Sequence, residues 1–192
     1  KAAVALLAVL ALAGIFAADR AGLFGSAAAV KPAGPDWPHY HDKSFRVANV
    51  VDGDTLDVDE PDRDRISTRI RLWGVDTPET KDPRKPVAYF GPQASAFTHR
   101  CCDGKTVRLE LVPGHTRDRY DRLLAYVWLP DGTMLNRELV RQGYGYADPR
   151  FDHPYKSEFA ALQAEAKEAR LGLWKAVKPA QMPYYMTEKE RQ

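Results

Sequence analysis

The sequence predicts an α+β domain, mainly β: a five-stranded barrel with three helices, preceded by an N-terminal apolar helix. Three observations lead there. Five short runs have the apolar character or the alternation of strands, helical spacing falls after the third and again after the fifth, and an unbroken apolar run opens the chain. With 192 residues, 44% hydrophobic and 28% charged, the chain suits one core with appendages rather than two.

From Ala2 to Ala18 the chain reads AAVALLAVLALAGIFAA without a polar side chain, the short end of the ~17 to 25 residues that span a hydrocarbon core. A buried helix of a soluble domain needs a polar face, so residues 1–18 are expected to be a signal peptide or an uncleaved signal anchor. The anchor is slightly preferred. The small residues Ser26-Ala27-Ala28-Ala29 lie farther from the apolar run than signal peptidase sites usually do. Either way the remainder is expected outside the cytoplasm, membrane-anchored and facing outward, or secreted or periplasmic once cut. Residues 19–43 mix Gly, Ala and Pro without a sustained period and read as a flexible spacer.

The globular domain is expected over residues 44–174. Phe45-Arg46-Val47 leads into Val50-Val51, Asp52-Gly53 marks a tight turn, and Thr55-Leu56-Asp57-Val58 resumes the alternation, which makes a hairpin. In a third strand Ile66, Ile70 and Leu72 share one face, with Arg69 and Arg71 on the other. Gly91-Pro92 opens a helix in which Ala94, Phe97 and Cys101 fall on one side, and Asp103-Gly104 stops it. Val107, Leu109 and Leu111 form a fourth strand. Leu123 to Leu129 is apolar enough to be a central fifth. Leu135 to Gln142 is a short helix ending at Gly143, and Tyr155 to Arg170 a longer one with Tyr155, Phe159, Leu162, Ala166 and Ala169 on its inner stripe. This order is what a five-stranded barrel of OB type with helices at its base produces. Residues 175–192 read as a polar, peripheral tail.

Polar residues gather in three segments near strand ends: Asp52-Gly53-Asp54-Thr55, Arg71 to Glu79 (RLWGVDTPE), and Asp118-Arg119-Tyr120-Asp121-Arg122. Hydrolysing a phosphodiester needs a base or metal to ready a water, and cations to neutralise charge growing on the non-bridging oxygens. Both kinds of group are present. Hard oxygen donors without clustered His or Cys point to calcium or magnesium rather than zinc. Taken singly, each segment has a plainer reading, as a hairpin turn, a helix start or a solvated charge run.

A formal net charge of +2, from 28 basic and 26 acidic residues, excludes a massive basic footprint, so any nucleic-acid contact has to be local. The adjacent Cys101 and Cys102 suit neither a loop-closing disulfide nor a zinc site and read as partly buried side chains near a helix end. His39, His41, His99, His115 and His153 lack ligand spacing and read as surface residues, while Trp73, Trp128 and Trp174 read as core.

The stretches VDGDTL, RLWGVDTPETK, GPQASAF, DRYDRLLAY, LVRQGY and LGLW follow in an order, and with gaps, that resemble the staphylococcal-nuclease-like (thermonuclease) family. The resemblance spans the whole globular part. It implies an OB barrel with three helices and a calcium-dependent nuclease that hydrolyses DNA and RNA with little sequence specificity. By the same resemblance the carboxylates of Asp54 and Asp76 and the carbonyl of Thr77 hold one Ca²⁺, and Glu79 assists attack of water. Arg71 and Arg122 would grip the phosphate, and the products would carry a 3′-phosphate and a 5′-hydroxyl. Arg119, Tyr120 and Phe151 are expected to bind substrate. Arg119 stands where the family has a lysine, Pro149 and Phe151 where it has two tyrosines, and Asp121 where it has a small residue. A flat ring at Phe151 can still stack on a base.

The competing reading is a non-catalytic OB-type nucleic-acid or protein binding module. Retention of Asp54, Arg71, Asp76, Glu79 and Arg122 together favours the enzyme. DNA and RNA are the expected partners, with the membrane a third if the apolar segment stays uncut. No protein partner is implied and a monomer is expected.

Overall fold

The computed structural model of the protein describes residues 34–84 and 86–186, and within them the alternation of the sequence closes into a barrel. The strands are β1 (Lys43–Asp52), β2 (Thr55–Val58), β3 (Thr68–Leu72), β4 (Val75–Asp76), β5 (Thr106–Glu110), β6 (Leu123–Trp128) and β7 (Tyr146–Ala147). Barrel order is β1-β2-β3-β6-β5, with β4 and β7 paired separately. Only the β3–β6 contact of the barrel is parallel. Closure leaves no free edge. Leu56, Val58, Ile70, Leu72, Leu109, Leu123 and Val127 fill the interior, and truncating one of the leucines to Ala costs roughly 2 to 5 kcal/mol.

The third strand is shorter than the apolar pattern suggested. Ile66 is 91% exposed, and Thr68, Ile70 and Leu72 are the inward residues. A polar residue takes the first inward place because its hydroxyl is matched: Thr68 Oγ1 donates to the Glu60 carbonyl at 2.8 Å and lies 3.0 Å from Tyr40 Oη.

The helices are α1 (Asp36–Tyr40), α2 (Gly91–Cys102), α3 (Leu135–Arg141) and α4 (Lys156–Glu168). On α2 the buried side chains are Ala94, Phe97, Thr98 and Cys102, so Cys102 rather than Cys101 faces inward, and both thiols are free. The buried amide of Asn136 locks α3 to the barrel, donating to the carbonyls of Trp73 (2.9 Å) and Ala125 (3.2 Å) while accepting from Val127 N–H (2.9 Å). On α4, Gln163 joins Phe159 and Ala166 in the buried stripe and Ala169 is exposed. The Gln163 carbonyl is satisfied by Ala147 N–H at 2.9 Å. Trp73 and Trp174 are buried, while Trp128 is half-buried with its indole N–H on Glu110. His153 departs from the surface reading: it is buried, with Nδ1 2.8 Å from Tyr126 Oη.

Two stretches expected to lie apart are part of the packed unit. Within 34–43, where a spacer was expected, α1 buries Tyr40, stacks Trp37 on His41 at 3.9 Å and offers Asp36 to Arg117. At the other end, Met186 is buried with Tyr146, Leu173 and Trp174, so the described part of the tail is docked rather than peripheral. The apolar run at 1–18 and residues 19–33 lie outside the described residues, among which no helix is long and apolar enough to cross a membrane.

Candidate active site

The turn between β1 and β2 sets the first part of the site. Gly53 lies so close to the loop after β4 that a Cβ there would sit 2.7 Å from Thr77 Oγ1. Only glycine lets the hairpin tip and that loop touch. Their contact places Asp54 Oδ2 under the N–H and hydroxyl of Thr77, at 2.7 and 3.0 Å, and Thr55 Oγ1 donates to Oδ1 at 3.0 Å.

Arg71, opposite Thr55 in the β2–β3 register, reaches both carboxylates: Nη1 lies 2.7 Å from Asp54 Oδ2 and Nη2 2.6 Å from Asp76 Oδ1. The Nη2 contact is a directed hydrogen bond. The Nη1 contact is an ion pair without hydrogen-bond alignment, which leaves a buried donor unspent. A phosphate oxygen is the kind of acceptor that would satisfy it.

Negative charge exceeds positive here. Burial first, and then the neighbouring charges of Asp54 and Glu79, push the Asp52 carboxyl up to about 6, against hydrogen bonds from Gly53 N–H and Thr80. Asp76 is raised by burial too, with Asp54 adding to the shift and Arg71 opposing it. Burial works against the charge on Arg71, but Asp54 and Asp76 outweigh it and make the guanidinium more basic than usual. Asp54 is the negative neighbour common to both shifts, so the carboxylates crowd around it. Among the described residues no three His, Cys, Asp or Glu side chains gather into a cage. The carboxylates of Asp54 and Asp76, joined through Arg71, offer hard oxygen donors, which suit a hard divalent cation completing its shell with water.

Arg122 stands just before β6 and is held by Asp118, whose Oδ2 takes Nε at 2.7 Å and Nη2 at 2.6 Å. The Asp118 Oδ1 also accepts the N–H groups of Tyr120 and Arg122, at 2.9 and 3.0 Å. One carboxylate therefore shapes the whole turn. Arg71, Asp76, Arg119, Tyr120, Arg122 and Phe151 line a single groove of about 600 Å³. A second hollow of about 310 Å³, beside Arg65 and Arg69, shares Tyr120 and Arg122 with it.

Glu79 is not bonded to these groups. It is exposed, and its Oε1 accepts the N–H of Lys81 at 2.6 Å and of Asp82 at 3.2 Å. Its link to the site runs through the next residue, because Thr80 Oγ1 donates to Asp52 at 2.9 Å. The structure thus brings together Asp54, Arg71, Asp76 and Thr77 by direct contact, adds Arg119, Tyr120, Arg122 and Phe151 around the groove, and leaves Glu79 on the adjoining loop.

Several residues of the site were not singled out from the sequence. Asp118 is one, although its spacing of four from Arg122 was visible. Asp148, 5% exposed, holds Arg150 through two bonds of 2.8 and 2.7 Å at the groove. Tyr185 donates to Asp76 Oδ2 at 2.8 Å across a separation of 109 residues, which no local pattern signals.

The chain is similar in sequence to known proteins. A family model described as "Staphylococcal nuclease homologue" matches residues 69–176. A thermonuclease of Staphylococcus intermedius is 40% identical over 135 residues, covering 69% of this chain and 76% of the relative. A thermonuclease of Staphylococcus hyicus is 37% identical over 135 residues, 70% of this chain and 77% of the relative. A protein of Escherichia coli named as an uncharacterized endonuclease is 34% identical over 134 residues, covering 70% and 78%.

Proposed function

The chain belongs to the staphylococcal nuclease family and is a hydrolase of phosphodiester bonds, and from that premise we propose a calcium-dependent endonuclease that cuts DNA and RNA with little sequence specificity. The observation that carries the proposal is Arg71, held between Asp54 and Asp76 with an unspent donor in the same groove as Arg122.

In this reading Asp54, Asp76 and the Thr77 carbonyl hold the calcium ion. When bound, the ion supplies positive charge beside the phosphate and lowers the pKa of water. Arg71 and Arg122 bind non-bridging oxygens, and their fixed guanidinium planes match the charge that grows as phosphorus becomes five-coordinate. Glu79 takes a proton from the attacking water, its carboxylate oriented by the two loop N–H groups. The new bond joins the water oxygen to phosphorus, the P–O5′ bond breaks with its electron pair going to O5′, and that oxygen takes a proton from solvent. A 3′-phosphate and a 5′-hydroxyl result. Contacts of this kind reach the backbone and not base edges, which supports cutting without strong sequence preference. The apolar run at Ala2 to Ala18 supports placing this domain on the outer side of a membrane or beyond it.

The test is digestion of single-stranded DNA, double-stranded DNA and RNA by the purified chain, in calcium, magnesium or chelator, with end-group analysis of the fragments. Cleavage in calcium alone with 3′-phosphate ends is expected. Full activity in excess chelator sinks the metal assignment, and 5′-phosphate ends sink the choice of bond.

A further inference from the structure

The last described residues approach the groove for a physical reason. Met186 is anchored in the apolar cluster with Leu173 and Trp174, and Tyr185 is tied by its hydroxyl to Asp76. Followed by these two anchored residues, Tyr184 is placed at the wall of the groove that Arg71 and Arg122 line. Its ring is 82% exposed. Phe151, 57% exposed, lines the same groove. The guanidinium of Arg150 joins them: it lies 5.8 Å from the Phe151 ring centre, 4.2 Å from the Tyr185 ring centre, and hydrogen-bonds with Tyr184.

Two flat apolar rings kept open to water beside a cation, next to a phosphate-gripping arginine, match the alternation of base and phosphate along a polynucleotide. We infer that Tyr184 is a substrate-binding residue that offers a base-stacking face in the groove it lines with Arg150 and Phe151, so that the C-terminal segment completes the groove. The inference rests on the nuclease reading and adds a subsite to it. Stacking needs only a π face and tolerates every base, whereas Arg150 contributes charge toward a phosphate next to the scissile one.

The experiment compares the full chain with Tyr184→Ala and Tyr184→Phe on two strands of equal length, an oligothymidylate and a fully abasic oligomer with the same phosphates. Removal of one stacking ring is expected to raise KM on oligothymidylate about tenfold, with kcat close to the parent. On the abasic strand Tyr184→Ala and Tyr184→Phe, which both lose the hydroxyl on Arg150, should have the same KM as each other, and on oligothymidylate Tyr184→Phe should keep the roughly tenfold advantage that Tyr184→Ala loses. An exposed ring is not needed for folding, and circular dichroism confirms that the variants are folded. An unchanged KM on oligothymidylate overturns the inference, as does an equal rise on both strands or a Phe variant as weak as Ala. A parent that cuts neither strand overturns the nuclease reading instead, and this subsite with it.

Discussion

Replacing Arg71 with Gln separates the two duties of that side chain. It is nearly buried, at 12% exposed, and is the cation between two carboxylates at 2.7 and 2.6 Å. Removing one partner of a buried pair costs about 3 to 5 kcal/mol, because the other charge stays behind unpaired. Here the lower end applies, since Thr55 and Thr77 still donate to Asp54 and Tyr185 still donates to Asp76. A loss of that size lowers the melting temperature of a domain this large by roughly 10 °C. That holds in chelator. Calcium stabilises the parent too, but it binds the variant more tightly once the competing guanidinium is gone, so part of the loss should be recovered. Turnover should not be recovered, because the ion cannot replace the guanidinium on the phosphate, and a loss of about 10² to 10³ is expected in single-turnover cleavage. The assays are thermal melts in chelator and in calcium, with cleavage of a labelled oligonucleotide alongside. If calcium raises the melting temperature of neither the parent nor the variant, Asp54 and Asp76 are not where calcium binds. If it cuts at the parent rate, Arg71 is not on the reacting phosphate.

Arg122→Lys keeps the charge but loses the forked donor, so single-turnover cleavage should fall about 10² to 10³ while filter binding of the oligonucleotide changes far less. Asp118→Asn should lower kcat about tenfold to a hundredfold without touching substrate, since it releases the Nε and Nη2 grip that aims Arg122; a parental kcat refutes that positioning role. His153 bears on pH. Burial first, and Lys156 next, lower its pKa below the ordinary 6.5. As pH falls through that ordinary value the unfolded chain takes a proton that the folded one does not, so stability falls with it, and none of this contribution is lost above pH 7. Urea unfolding between pH 7 and 5 should show that slope, and His153→Gln should flatten it.

What the sequence disclosed and what it hid follow the range of the interactions. Arg69 and Arg71 alternate with Ile70 and Leu72, so the strand that carries Arg71 was legible from its period of two. Gly53 was legible as a turn, but the reason for it, contact with Thr77, is a meeting of segments more than twenty residues apart. Ile66 misled because an apolar residue in register with a strand says nothing about where pairing stops; the Asp62–Arg65 bridge ends it first. The short pair β4–β7, which carries Asp76, is too brief to show any period. Tyr185 and Asp76 were both visible as residues, yet only the folded apolar cluster around Met186 brings them together.

A single arrangement explains how a chain with a net charge of only +2 handles a polyanion. Arg122 and Arg150 each give the Nε and Nη2 edge of the guanidinium to a carboxylate, Asp118 and Asp148 respectively. The planar group has five donors in fixed directions, so the Nη1 end stays outside the ion pair while the plane is held still. A phosphate reaching either would meet a cation whose rotamer has already been chosen, with little ordering entropy left to lose on binding. The acidic partner reduces the net field and with it the long-range attraction, but it increases what each contact is worth at short range. Lysine cannot serve both a carboxylate and a phosphate from one rigid plane. For that reason Arg122 and Arg150 are each backed by an aspartate, and the balance of 28 basic to 26 acidic residues is compatible with nucleic-acid chemistry rather than evidence against it.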